Sequence, residues 1–286
     1  MKARLMTAVV GLSLFAAILC FFQTPVINVA VSIISVVAVY EIAQAVGCDR
    51  PRSLLLLCAC FAAVVPFLKT SLISNILPVL VYLLFVLVFL VVIRHYPDLD
   101  ITRVGLLMMM SLGVSMALNC LVYIRDTAPS MSIGIYYVLI IFGSAWWSDA
   151  GAYFVGSRFG KHKMAPLISP KKSMEGLYGG LVVAVLGNLL VSCLFSLLHN
   201  SQILGGYSPV DFHINYLYVA LVSPVLALTG VLGDLSASVI KRRFEVKDFG
   251  TIFPGHGGMM DRFDSLLFVA PLVYLLMRFW PFVVVA

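Results

Sequence analysis

Long apolar runs broken by short polar stretches organise the chain, lying near residues 5–22, 26–46, 53–68, 73–93, 104–124, 133–154, 177–198, 215–237 and 265–285. A hydrocarbon core of about 30 Å takes about 20 apolar residues to cross as a helix. Lipid offers the backbone no hydrogen-bond partner, so each run is predicted to be a helix that satisfies its own amides and carbonyls. The pattern therefore predicts an all-α, polytopic integral membrane protein with about nine transmembrane helices. The run at 53–68 is short and would also suit a re-entrant segment, so the parity of the count needs a second test.

Lysine and arginine supply that test, because they concentrate on the cytoplasmic side of membrane proteins. With nine spans, the N-terminus and the even-numbered loops share one side, and sixteen of the nineteen basic residues fall there. The odd-numbered loops hold only Lys69 and Arg125, and Arg278 lies inside the last run. The N-terminus is accordingly expected in the cytoplasm. Lys2 and Arg4 before an apolar run also fit a signal peptide, but no small-x-small site precedes Gln23, so a retained helix is expected.

Composition agrees with this frame. The 286 residues are 62% hydrophobic and 11% charged, with a mean hydropathy of +1.05, far more apolar surface than a soluble fold of this size buries. The six cysteines lie in or beside apolar runs, and neither a disulfide nor a zinc framework is expected from them. The net charge of +6 is gathered on one side, where it favours anionic lipids and anionic substrates. No nucleic-acid-binding module is present in the sequence.

The two halves differ. Residues 1–130 read as a transmembrane scaffold of plain apolar spans. Residues 131–286 read as the catalytic transmembrane region, with polar loops at 156–176 and 239–264 that carry ten of the nineteen basic residues. Within the second loop, "KDFGTIFPGHGGMMDRFDS" (residues 247–265) packs two basic residues, three aspartates, one histidine and four glycines into nineteen positions. Upstream, Asp234, Ser238 and Lys241 fall at i, i+4 and i+7, one face of a helix. Asp261 and Asp264 are spaced i, i+3 and point together if that turn is helical. Three carboxylates at a membrane surface repel one another unless a cation joins them, and their oxygens suit a hard ion such as Mg²⁺. Between them Pro254-Gly255-His256-Gly257-Gly258 permits close backbone approach to phosphate oxygens. Lys241, Arg242, Lys247 and Arg262 add charge for the same phosphates. Cation, basic residues and a glycine turn together point to phosphoryl or nucleotidyl transfer. The competing interpretation, a solvated loop with ordinary helix caps and a positive-inside bias, holds better for the single basic residues than for Asp234, since ionisable groups at span ends are costly and usually functional.

The run Ser238-x-Ile-Lys241-Arg242-x4-Lys247-Asp248-x-Gly250-x2-Phe-Pro254-x-His256-Gly257-Gly258-Met-x-Asp261-Arg262-Phe-Asp264 resembles the signature of the phosphatidate cytidylyltransferases (CDP-diacylglycerol synthases). Asp149-Ala-Gly151-Ala-Tyr153-Phe-Val-Gly156, Gly160-Lys161 and Ser169-Pro170-Lys171-Lys172-Ser173-x-Glu175-Gly176 are similar to the family's other shared block. The resemblance is strong over residues 145–270. Two departures stand out: Ala237 where many members have glutamate, and Glu245 where many have glycine.

The resemblance implies an inner-membrane (plasma-membrane) homodimer with its active site on the cytoplasmic side, joining CTP and phosphatidic acid with Mg²⁺ to give CDP-diacylglycerol and pyrophosphate. It implies metal-binding carboxylates at Asp234 and Asp261, supported by Asp264, in a paired site that can also take K⁺. Ser238, Lys241, Arg242, Lys247, Asp248, His256 and Arg262 join them as catalytic candidates, His256 through orientation or leaving-group contact, since an anionic phosphate nucleophile needs no strong base. Ser169, Lys171, Lys172, Ser173, Asp149, Glu175, Gly257 and Gly258 are the substrate-binding candidates. Glu41, inside the second run, reads as a hydrogen-bonded interior residue rather than a catalytic one. A transporter is disfavoured because the polar residues gather at one face without repeated halves. A CDP-alcohol phosphotransferase is disfavoured because its Asp-Gly-x2-Ala-Arg-x8-Gly-x3-Asp-x3-Asp pattern is absent. A CTP-dependent lipid kinase is separable only by its products.

Overall fold

The computed structural model describes residues 2–68, 70, 73–200, 211–253 and 257–285. Of the described residues 77% are helical. In order its elements are α1 (Lys2–Cys20), α2 (Val26–Val46), α3 (Arg52–Val64) with a 3-10 turn (Val65–Phe67), α4 (Ile73–Arg94), α5 (Ile101–Thr127), α6 (Met131–Phe159), β1 (Lys163–Ala165), β2 (Ser169–Ser173), α7 (Met174–Asn200), β3 (Phe212–Ile214), α8 (Tyr216–Arg243), α9 (Met260–Phe263), α10 (Leu266–Phe279) and β4 (Val283–Val285).

Among the described residues six helices, α2 and α4 to α8, are long and apolar enough to cross a membrane. They coincide with six of the nine predicted runs. The other three runs also form helix, but shorter. α3 has 13 residues before its 3-10 turn, and at 1.5 Å per residue it falls well short of a roughly 30 Å core. The last run, predicted as one span over 265–285, ends as helix at Phe279 after 14 residues. Its stop has a local cause: Pro281 disfavours helical backbone at the residue before it, and Trp280 is out of the helical region at φ −142°, ψ 70°. The chain then forms β4, which pairs antiparallel with β3. A second ribbon pairs β1 with β2, Lys163 opposite Ser173, with an irregularity before Ala165 meets Ser169.

The chain divides into two compact units: Met1–Tyr123 with Lys241–Phe263, and Ile124–Ile240 with Asp264–Ala286. In the first, α2 is the organising helix. Its Asn28 donates to the Pro66 carbonyl at 2.5 Å and Ser32 to the Ala63 carbonyl at 3.0 Å, so the end of α3 is tied down by side chains where Pro66 has no amide to offer. α4 carries large apolar side chains outward, among them Tyr82, Leu90 and Ile93, as expected of a helix whose surroundings are lipid. In the second unit α6 and α7 pack together along their lengths. A buried polar seam joins the helices there: Tyr136 Oη lies 2.7 Å from Ser192 Oγ. The Asn188 amide donates to Ser144 Oγ at 2.9 Å and to Ser223 Oγ at 3.0 Å, binding α6, α7 and α8. Interhelical bonds of this kind contribute on the order of 1 kcal/mol each in a membrane, where packing rather than the hydrophobic effect holds helices together.

Candidate active-site residues

In the first unit three separate parts of the signature, at Lys241, Phe249 and Gly258, meet at Asp261. Its Oδ1 accepts from Lys241 Nζ at 2.8 Å. Its Oδ2 accepts the Phe249 amide at 2.8 Å and the Gly258 amide at 3.0 Å. The side chains of Lys241 and Asp261 are only 10% and 4% exposed, so each charge depends on the other and on the amides for compensation. Lys241 Nζ also stands 5.4 Å from the centre of the Phe249 ring. α8 delivers Lys241 in its last turn and ends in a Schellman arrangement, with the Glu245 amide on Arg242 O at 3.3 Å and the Val246 amide on Lys241 O at 3.0 Å. Glu245 takes φ +57° to close it. That is the left-handed region, which favours glycine over a residue with a Cβ.

Four further candidates of this unit lie on its surface: Arg242, Lys247, Asp248 and Arg262 are exposed. Gly257, at φ +81°, sits between two carboxylates; a Cβ there would stand 3.1 Å from Asp261 Oδ2 and 3.3 Å from Asp248 Oδ1. The expected phosphate cradle is in part committed elsewhere. The Gly258 amide is held by Asp261, and the Met259 and Met260 amides by Glu41, at 3.0 and 2.9 Å. Pro254, Gly255 and His256 lie outside the described residues, and so does the role predicted for His256. Glu41 is 1% exposed, an interior, hydrogen-bonded residue. Its partners, more than two hundred residues away in the chain, could not be read from its sequence surroundings.

In the second unit Asp234, on α8, is ion-paired with Lys172 of β2, and the two side chains are 26% and 25% exposed. Ser238 Oγ donates to Asp234 Oδ1 at 3.3 Å, one helical turn on. Ser173 is buried and caps α7, its Oγ accepting the Gly176 amide at 3.1 Å. Glu175, in the first turn of α7, is a latch on the ribbon: Oε2 accepts the Lys161 amide at 3.0 Å and the His162 amide at 3.2 Å. Its Oε1 lies 2.6 Å from His162 Nδ1. Ser169 and Lys171 stand on β2, Lys171 exposed, and Asp149 is exposed on α6. Asp264 is 8% exposed, its Oδ1 accepting the Ser265 amide at 2.8 Å. α8 runs close by it, since a Cβ on Gly233 would come 2.5 Å from the Asp264 carbonyl oxygen. The i, i+3 spacing of Asp261 and Asp264 assumed a continuous helix. Instead α9 ends at Phe263 and α10 begins at Leu266, leaving Asp264 in the turn between them.

Within each unit the described residues gather no group of three or more His, Cys, Asp or Glu side chains close enough to hold a metal ion. The donor chemistry nonetheless suits a hard cation. The carboxylate oxygens of Asp234 and Asp264 in one unit, and of Asp248 and Asp261 in the other, are donors of the right chemistry, although both oxygens of Asp261 are taken by Lys241 and two amides. Lysine nitrogens meet Asp234 and Asp261, placing positive charge where a carboxylate demands it.

Comparison with known proteins accords with the loop's chemistry. Residues 2–280 match the model of the cytidylyltransferase family, and the chain belongs to that family. Among curated proteins it is 36% identical over 194 residues to the phosphatidate cytidylyltransferase of Bacillus subtilis (strain 168), covering 68% of this chain and 65% of that one. It is 43% identical over 146 residues to the phosphatidate cytidylyltransferase of Staphylococcus epidermidis, 51% of this chain and 50% of the relative. The enzyme of that name from Staphylococcus aureus (strain COL) is 42% identical over the same length, with the same coverage. The matches thus span about half to two thirds of the curated relatives' length.

Proposed function

We propose that this protein is a phosphatidate cytidylyltransferase, which transfers CMP from CTP to phosphatidic acid and releases pyrophosphate. The observation that carries the proposal is the Lys241–Asp261 node: these two signature residues form an enclosed ion pair whose aspartate also takes the Phe249 and Gly258 amides. In the reaction a phosphate oxygen of phosphatidic acid bonds to the α-phosphorus of CTP as the bond from that phosphorus to the bridging oxygen breaks, and the electron pair leaves on pyrophosphate. The nucleophile is already an anion, so no residue has to remove a proton. What the chain must do is bring two polyanions together and hold them in line. Lys171, Lys172, Arg242, Lys247 and Arg262 neutralise phosphates, Lys241 and Ser238 fix the carboxylates that face them, and Asp149 and Ser169 contribute to nucleotide binding. Mg²⁺ would be held by Asp234 and Asp261 with Asp264, K⁺ being a second cation for the paired site. When bound, the metal supplies charge neutralisation at the transferring phosphorus.

The proposal extends to topology. If the runs that fold as the shorter α1, α3 and α10 also pass through the membrane, nine passages put sixteen of nineteen basic residues on the side of the N-terminus, which supports a cytoplasmic N-terminus and a cytoplasmic active site in the plasma membrane. The protein would act there as a homodimer, its partners being the two substrates and membrane lipids. The deciding experiment gives purified protein labelled CTP, Mg²⁺ and phosphatidic acid. CDP-diacylglycerol with pyrophosphate supports the proposal; free CDP indicates a lipid kinase; no turnover overturns it.

A further inference from the structure

Glu41 lies within α2, an apolar helix, with its carboxylate almost wholly enclosed. Such a charge is tolerated only with strong donors around it, and both of its oxygens have one: Oε1 accepts from the Met259 amide and Oε2 from the Met260 amide. These two amides enter α9, where a helix has no internal acceptor to offer. The signature loop also rests directly on this carboxylate. A Cβ on Gly250 would come 2.1 Å from Oε1, and a Cβ on Gly258 would come 2.4 Å from Oε2. No side chain fits at either place. The next residue of α9 is Asp261, whose own carboxylate takes the Phe249 and Gly258 amides.

The loop is thus closed between two carboxylates, one from α2 and one from α9, with Gly258 shared by both. From this we infer that Glu41 is a positioning residue: it is the template against which Gly250 and the Gly258–Asp261 turn are set, and it acts on the reaction through the placement of Asp261 and Lys241. The catalytic part rests on the cytidylyltransferase reading above; the structural part does not.

Glu41→Gln keeps the volume and one acceptor but turns a donor toward one of the two amides. Amide exchange in peptides covering 249–263 is expected to rise about tenfold, as befits a lost buried hydrogen bond, with α4 and α6 unchanged. In the CTP assay kcat should fall about a hundredfold, the cost of misplacing reacting groups by an ångström or so, while KM for phosphatidic acid stays put. A general packing defect would instead raise exchange throughout. Gly250→Ala attacks the same contact from the loop side and should give the same paired signature, and it decides the matter if Glu41→Gln does not fold. Unchanged kcat in a folded variant, or a lowered kcat with 249–263 as protected as before, overturns the proposal. If the wild-type protein turns over no CTP, the functional reading has failed, and the exchange experiment alone then tests Glu41: a rise confined to the loop sustains the template role and no rise ends it.

Discussion

Two lysine–aspartate pairs carry the candidate chemistry, and they are built differently. Lys241 and Asp261 are enclosed, at 10% and 4% exposure, and two backbone amides complete the aspartate's hydrogen bonding. Lys172 and Asp234 are about a quarter exposed, and Asp234 also accepts from one serine hydroxyl at 3.3 Å. The first pair is therefore part of the loop's architecture as well as its chemistry, whereas the second can exchange its partner with little disturbance to the fold. Stability and catalysis should separate at Asp234 and stay coupled at Asp261.

The largest effect is expected from Asp261→Asn. It leaves Lys241 buried without a countercharge, which costs about 3–5 kcal/mol when one partner of an enclosed pair is lost. Melting in detergent should drop strongly, and turnover should fall below about a tenth, roughly 1.4 kcal/mol in barrier. Asp234→Asn should match it in turnover but not in melting. A part-exposed pair contributes about 0–1 kcal/mol, so a large melting shift at Asp234 would erase the distinction between the two pairs. Lys172→Met comes next. Its stability cost should again be within about 1 kcal/mol, and the loss should appear as a raised KM for CTP if the lysine turns from Asp234 to nucleotide phosphate. An unchanged KM would make the pair merely structural.

The sequence made some of this legible and hid the rest for definite reasons. Six membrane-length helices could be read because apolar runs of that length have few alternatives. The helical end at Phe279 was obscured because Val283–Val285 is as apolar as the helix it follows, although Pro281 was the available signal. The β1–β2 ribbon was missed because its strands are polar and too short for an alternating pattern to emerge. Motif spacing marked Lys241 and Asp261 as chemistry, yet not as partners. The resemblance made Ser173 and Glu175 substrate-binding candidates, and the structure shows in addition that they form a helix cap and a ribbon latch. Glu41 was visible as a costly interior charge, but only tertiary structure shows which amides it holds.

The smallest effect sharpens the contrast from outside both pairs. α2 and α8 end in the same way. Gly47 closes α2 at φ +73°, with its amide on Gln44 O and the Cys48 amide on Ala43 O. Glu245 closes α8 at φ +57° with the equivalent two bonds. The conformation is free of steric cost for glycine but costs a residue with a Cβ about 1 kcal/mol. Against this, glycine gains backbone entropy in the unfolded chain, which removes part of the benefit. Glu245→Gly should thus raise stability by about 0.5 kcal/mol, seen as a small rise in melting temperature, with kcat unaltered because the cap lies beyond Lys241 and its bonds are retained. A fall in kcat instead would mean that the glutamate carboxylate itself serves the loop, and that the enclosed pair extends one residue cluster further than its hydrogen bonds show.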